Sequence, residues 1–216
     1  MSPSPHSIAR SEFILGGQKS GKSRRAELLA RQWLDADAAH RAVLIATAQP
    51  WDAEMRQRIA RHQADRALRV PGMHTVEEPL QLAQALSEHS RTDTLVVVDC
   101  LTLWLTNCLM PAPTESADSL DASGGADPDG SRKNGSNRPF WHTQTAQSAP
   151  LLIAIAQAAG PVVLVGNEIG LGVIPMGAQV RAFVDALGKL NQDVAATCER
   201  VTLMAAGLPL TLKGMA

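Results

Sequence analysis

Residues Phe13 to Leu34 read FILGGQKSGKSRRAELLARQWL: an apolar run, a glycine-rich turn and a segment of helical period, in immediate succession. Within it, Gly16-Gly17-Gln18-Lys19-Ser20-Gly21-Lys22-Ser23 completes the spacing G-x-x-x-x-G-K-S. Between a strand and a helix, that spacing makes a phosphate cradle. Glycines let backbone N–H groups converge on phosphate oxygens, and the helix start adds its positive end. Lys22 is placed to reach the β- and γ-phosphates, and the Ser23 hydroxyl to ligate Mg²⁺. Such a loop belongs to an open sheet whose strand ends face the nucleotide.

The rest of the chain keeps the same rhythm. AVLIAT precedes AEMRQRIARHQ, TLVVVDC precedes LTLWLTNCLM, PVVLVGN precedes AQVRAFVDALGKLNQDVAATC, and VTLMAAG closes with LPLTLK behind it. Strands this apolar are buried on both faces, so helices must cover both sides of a mainly parallel sheet. The fold expected is α/β, a three-layer P-loop NTPase domain. With 216 residues and 45% hydrophobic content, the chain has material for one such core. A short flexible tail is expected over 1–11, followed by a single nucleotide-binding domain over 12–216.

One stretch, 111–150, interrupts that domain. PAPTESADSLDASGGADPDGSRKNGSNRPFWHTQTAQSAP is rich in Pro, Gly and Ser and poor in apolar anchors. So long an irregular segment is either a mobile lid or a tolerated insertion, and the scarcity of anchors favours the insertion.

Charge and cysteine content exclude several classes. The formal net charge is −1, and Lys and Arg are scattered, so no nucleic-acid backbone is an evident partner. No segment reads as a membrane span or a signal peptide; the longest apolar run is cut by Gln157 and Gly160-Pro161. Cys100, Cys108 and Cys198 form neither a C-x-x-C pair nor an even set, which suits a reducing cytoplasm.

The loop alone does not name a reaction. The guanine-reading N-K-x-D of switch GTPases is absent, as is an arginine-rich lid of the nucleoside monophosphate kinase kind. An acceptor kinase, a nucleotidyl transferase and a nucleotide-sensing binding module all remain. Asp99 ends the strand TLVVVD, where an acid serves Mg²⁺ or its waters, or else caps the next helix. Asn167 and Glu168 end PVVLVG at the same edge. In DAEMRQRIARHQ, Glu54, Arg58 and His62 fall at i, i+4 and i+8 on one polar face, with Met55 and Ile59 marking a buried stripe. On spacing alone His62 reads as an incidental residue of an exposed, salt-bridged face.

Taken in order, GGQKSGKSRRAE, IATAQPWDAEMRQRIARHQADR, HTVEEP, VVVDCLTLWLTN, VGNEIGLGVIP and RAFVDALGKLNQDVAATCERVTLMAAGLPLTLK closely resemble the bifunctional adenosylcobinamide kinase / adenosylcobinamide-phosphate guanylyltransferase family of cobalamin synthesis. The similarity runs from about Glu12 to Lys213 and lapses over 111–150. It implies two reactions. ATP or GTP phosphorylates adenosylcobinamide, and GTP then donates GMP to adenosylcobinamide phosphate through a covalent histidine adduct, giving adenosylcobinamide-GDP. The family's R-I-x-x-H pattern falls on Arg58 to His62, so the resemblance makes His62 the nucleophile. A free imidazole titrates near pH 6.5, so its nitrogen lone pair is available at neutral pH.

By the same resemblance, the nucleotide contacts fall on Gly16 to Ser23, on Ala46, Thr47 and Ala48, on Gln63, Ala64, Asp65 and Arg66, and on Glu77 and Asp99. Ser23 and Asp99 would hold Mg²⁺, and a ring-like homo-oligomer, a trimer, is implied. Lys19 stands where the family usually has Arg, Gly166 where Ser is common, and Met176 where Glu is usual.

Overall fold

The computed structural model describes residues 8–110, 140–172 and 175–214, without the side chains of 140–147. The first seven residues of the expected tail and the insertion from 111 to 139 lie outside them. Ser11, expected in the tail, already opens the first strand, and Arg10 is tied in by hydrogen bonds from its guanidinium to the Ala156 and Ala158 carbonyls at 3.2 Å.

Seven strands form one sheet. They are β1 (Ser11–Gly16), β2 (Arg41–Ala46), β3 (Met73–Glu77), β4 (Thr94–Asp99), β5 (Val162–Val165), β6 (Arg200–Ala205) and β7 (Leu208–Lys213), in the spatial order β3-β2-β4-β5-β1-β6-β7. Every pairing is parallel except β6 with β7, so the mainly parallel expectation holds. The helices are α1 (Lys22–Ala36), α2 (Ala53–Arg69), α3 (Leu82–His89), α4 (Leu101–Leu109), α5 (Phe140–Gln157) and α6 (Ala178–Thr197).

Strand alternation divides the core in two. Phe13, Leu15, Val96, Val98 and Leu164 point to a layer made by α3, α4, α5 and α6, through Leu86, Trp104, Leu151 and Leu187. Ile14, Leu44, Leu95, Val97 and Val163 point the other way, onto Ala26, Leu29 and Ala30 of α1. Burying both faces is what makes these strands continuously apolar, each large side chain contributing about 1.5–3 kcal/mol.

Three expectations need correction. Residues 140–150, read as irregular, lie in α5, with Pro150 inside the helix. The apolar run that follows, with Leu151, Ala154 and Ile155 buried, gives this helix a face to bury, and that outweighs one missing backbone donor. α2 has no buried residue, so Met55 and Ile59 are not a core stripe. They are partly exposed and face a pocket instead. Finally, β3 and α3 have no counterpart among the strands and helices read from periodicity.

The parallel topology brings the carboxyl ends of β1, β2, β4 and β5 to one edge. β1 lies between β5 and β6, and β4 between β2 and β5, so the glycine loop and Asp99 emerge from strands separated by β5 alone.

Candidate active site

β1 ends at Gly16 with φ of +150°, and a Cβ there would stand 2.4 Å from the Met204 carbonyl oxygen and 2.7 Å from Ser20 Oγ. Only glycine fits this close approach to β6. The turn continues through Lys19 at φ 57° and Gly21 at φ 100°, and Gly21 caps α1 with no side-chain acceptor. The first-turn N–H groups of α1 are therefore left without a capping side chain, as an anion site requires. Lys22 is buried and its ammonium donates to the Gly17 carbonyl at 2.6 Å across the loop. Burial pushes its pKa down, the Cys100 and Asp99 side chains oppose that, and Arg58 adds to it.

α2 begins at Asp52, whose carboxylate accepts from the Met55 N–H at 2.7 Å. It runs past the loop and forms the opposite wall of a cavity of about 640 Å³, lined by Gln18 to Arg24 on one side and Glu54, Gln57, Arg58, Arg61, His62 and Arg69 on the other. That volume suits a nucleotide. Basic side chains dominate the wall, as a triphosphate requires.

A smaller pocket of about 120 Å³ adjoins it, sharing Ser23, Arg58 and His62. Ala46, Ala48, Met55, Ile59 and Leu103 give it apolar walls, and Gln63, Arg66, Glu77 and Asp99 its polar atoms. Gln63 Nε2 donates to Glu77 Oε1 at 3.2 Å. Burial lowers the Arg66 pKa, while Asp99 and Glu27 work against that shift. His62 is partly buried at the seam between the two spaces.

Most residues expected at the site meet there. Gln18, Lys19, Ser20, Gly21, Lys22, Ser23 and His62 line the larger cavity, and Ala46, Ala48, Gln63, Arg66, Glu77 and Asp99 the smaller. Gly16 and Gly17 line neither space: Gly16 packs against Met204, and Gly17 accepts from Lys22 across the loop. Three residues are differently engaged. Thr47 is fully buried; its hydroxyl donates to the Cys100 carbonyl at 2.8 Å and accepts from the Cys100 N–H at 2.9 Å, so it braces the β2 and β4 ends. Asp65 pairs with Arg69 at 3.1 Å, and Ala64 is exposed outside both linings.

Asn167 and Glu168 act as braces in this structure. The Glu168 N–H donates to the Gly16 carbonyl at 3.2 Å, and the Asn167 N–H to Thr102 Oγ1 at 2.9 Å. Sequence reading left Gln57, Arg61 and Arg69 unassigned. Gln57 and Arg61 lie on the same face as Glu54, Arg58 and His62, and Arg69 continues it seven residues beyond His62, so the same periodicity would have found them. The three thiols are free, and burial pushes Cys100 and Cys198 up to about 12 and Cys108 to about 11, which leaves them unreactive at neutral pH.

Comparison with known proteins gives this geometry a context. The sequence profile of the family described as cobinamide kinase / cobinamide phosphate guanyltransferase matches residues 12–212. The bifunctional adenosylcobalamin biosynthesis protein CobP of Pseudomonas aeruginosa is 41% identical over 203 residues, covering 94% of this chain and 97% of that protein. The bifunctional adenosylcobalamin biosynthesis protein CobU of Escherichia coli is 30% identical over 207 residues, covering 93% of this chain and 98% of its own. The chain therefore belongs to the cobinamide kinase / cobinamide phosphate guanyltransferase family.

Proposed function

We propose that this chain phosphorylates adenosylcobinamide with a nucleoside triphosphate and then transfers GMP from GTP to the resulting phosphate, with His62 as the covalent carrier. The observation that carries the second step is the placement of His62 on the wall of the cavity that holds Lys22 and Ser23. A kinase needs a phosphate loop and an acceptor site; it has no use for an imidazole facing that loop. The single-activity kinase is thus the weaker reading.

In the first reaction, the acceptor hydroxyl oxygen attacks the γ-phosphorus, the bond to the β-phosphate oxygen breaks, the nucleoside diphosphate leaves, and the hydroxyl proton passes to solvent. Lys22 and the loop N–H groups stabilise the charge that develops on the phosphates. In the second, a His62 ring nitrogen attacks the α-phosphorus of GTP, forming an N–P bond as the bond to pyrophosphate breaks. A phosphate oxygen of adenosylcobinamide phosphate then attacks the same phosphorus, the N–P bond breaks, and the imidazole is restored. Arg58, Arg61 and Arg69 line the cavity where the departing pyrophosphate carries its charge.

The smaller pocket suits a purine between Ala46, Ala48, Met55 and Ile59. Glu77 offers carboxylate oxygens, which pair with the adjacent N1–H and amino donors of guanine; adenine presents its N1 as an acceptor and lacks that donor pair. Ser23 and Asp99 supply hard oxygen donors within one pocket. Mg²⁺ takes its other ligands from water and phosphate, so this donor set fits it, and the ion would neutralise phosphate charge there. Free cysteines, two of them buried, accord with a cytoplasmic location, and Leu208, Leu210 and Leu212, exposed along β7, offer apolar surface for the implied homo-oligomer.

Incubation of the purified protein with adenosylcobinamide, ATP, GTP and Mg²⁺, followed by mass spectrometry of the corrinoid, tests the reading. Sequential appearance of the phosphate and the GDP derivative is expected. Accumulation of the phosphate alone in the presence of GTP would reduce the protein to a kinase.

A further inference from the structure

α2 carries His62, yet none of its side chains is buried, so the apolar packing that seats the other helices does little to fix it. Polar contacts hold its second half. Gln63 reaches Glu77 on β3, and Arg66 Nη1 donates to Thr75 Oγ1 at 3.3 Å. The contact at the end of the helix is of another kind. Arg69 Nη1 donates to Glu27 Oε2 at 2.8 Å, its Nη2 to Asp65 Oδ2 at 3.1 Å, and its carbonyl accepts from Arg31 Nη1 at 3.3 Å. Glu27 is only 6% exposed and stands on α1, little more than one turn beyond Lys22.

A buried carboxylate is strongly unfavourable without a cation beside it, and a charged hydrogen bond of this length is geometrically demanding. Glu27 thus gives the end of α2 a fixed seat on the helix that starts at the phosphate loop. Neither cavity wall includes Glu27, whereas Arg69 lines the larger one with His62 and Lys22.

We infer that Glu27 is a positioning residue for guanylyl transfer: through Arg69 it sets the angle of α2 and so holds the His62 imidazole against the nucleotide on the loop. This rests on the proposed role of His62. The imidazole lies about 10 Å along the helix from Arg69 at a rise of about 1.5 Å per residue. A tilt of about 6° about the clamp moves it by about 1 Å, and a displacement of that size costs on the order of 100-fold in a reaction that needs in-line approach at about 3–3.5 Å. Phosphorylation of the acceptor hydroxyl does not use α2 in this way.

The test is single-turnover guanylylation with α-labelled GTP on the full chain, in the wild type, Glu27→Gln, Arg69→Met, Arg69→Lys and the Glu27→Gln/Arg69→Met double variant. Glu27→Gln should slow adduct formation by about tenfold or more while the GTP concentration dependence moves by less than about threefold. Cobinamide phosphorylation should stay within about twofold of wild type, since Glu27 lies outside both cavities. Arg69→Lys should recover part of the rate, and the double variant should be no slower than the slower single variant, because both act through one contact. Amide hydrogen exchange across Ala53–Arg69 should quicken in Glu27→Gln whether or not any adduct forms. Absence of adduct in the wild type would therefore refute the His62 reading, while unchanged exchange would refute the clamp. Additive losses, a loss confined to the concentration dependence, or equal loss of both activities would also overturn the inference. Should Glu27→Gln not fold, Glu27→Asp, which keeps the charge but shortens the reach to Arg69, carries the same comparison.

Discussion

Replacing Lys22 with methionine separates the stability of the phosphate loop from its chemistry. The ammonium makes a 2.6 Å hydrogen bond to Gly17, and a bond of this charged kind is worth about 1.5–3 kcal/mol. Against that, burial disfavours the charged form, and a methionine of similar length carries no such cost. The two effects oppose, so the free protein should change by about 1 kcal/mol or less, a Tm shift of about 2–4 °C for a chain of this size. The pH dependence has a definite sign. Because the folded-state pKa of Lys22 is lowered, the unfolded chain binds more protons between that value and the ordinary 10.5. The wild type must therefore gain stability relative to Lys22→Met as the pH rises through that window, the penalty being fully present below it. Catalysis has no such compensation: phosphorylation and guanylylation should each fall by about 10²–10⁴-fold. Saturating GTP should raise the wild-type Tm by about 5–10 °C, on the basis of about 2.7 kcal/mol at 100-fold excess over Kd, and the variant's far less. Thermal scans with and without GTP, across pH, and both half-reactions provide the readouts. Retention of either activity by Lys22→Met would mean a second nucleotide site and would refute the reasoning.

Two further substitutions probe the supports of the site. Thr47→Val keeps shape but leaves the buried Cys100 N–H and carbonyl without the Thr47 hydroxyl; a loss of about 1–3 kcal/mol in denaturant unfolding is expected, and an unchanged midpoint would count against the bracing role. Gly166→Ser places a side chain where a Cβ would stand 2.8 Å from the Phe13 ring. It should cost about 1–3 kcal/mol here by forcing that ring to move, and neutrality would show that β1 yields more easily than its packing suggests.

The sheet and the nucleotide loop were legible because their signals are local: a run such as TLVVVD or a G-x-x-x-x-G-K-S turn carries its structure within a few residues. β3 was not, because an edge strand with partly exposed residues, MHTVE, lacks both the unbroken apolar run and a clean alternation. α5 was obscured by Pro150 and by polar composition ahead of its apolar half. At the site, spacing put Glu54, Arg58 and His62 on one face, but a lone helix face does not say what it faces. Only the sheet order, which sets α2 opposite the loop, turns that face into a cavity wall. Thr47 shows the converse: the family resemblance placed it among the nucleotide contacts, and its hydroxyl turns inward to satisfy the backbone groups of Cys100 just beyond β4.

The most direct measurement of the central claim is the intact mass of the protein after incubation with GTP and Mg²⁺, followed by mapping of any adduct. One added GMP, on His62, acid-labile and alkali-stable as a phosphoramidate should be, is the predicted result. His62→Ala should abolish it and keep cobinamide phosphorylation, while His89→Ala, on α3, should leave it intact, as should His40→Ala, whose ring stacks on Trp33 at 3.6 Å. An adduct on any other residue, or none while the GDP derivative still accumulates, would contradict the account.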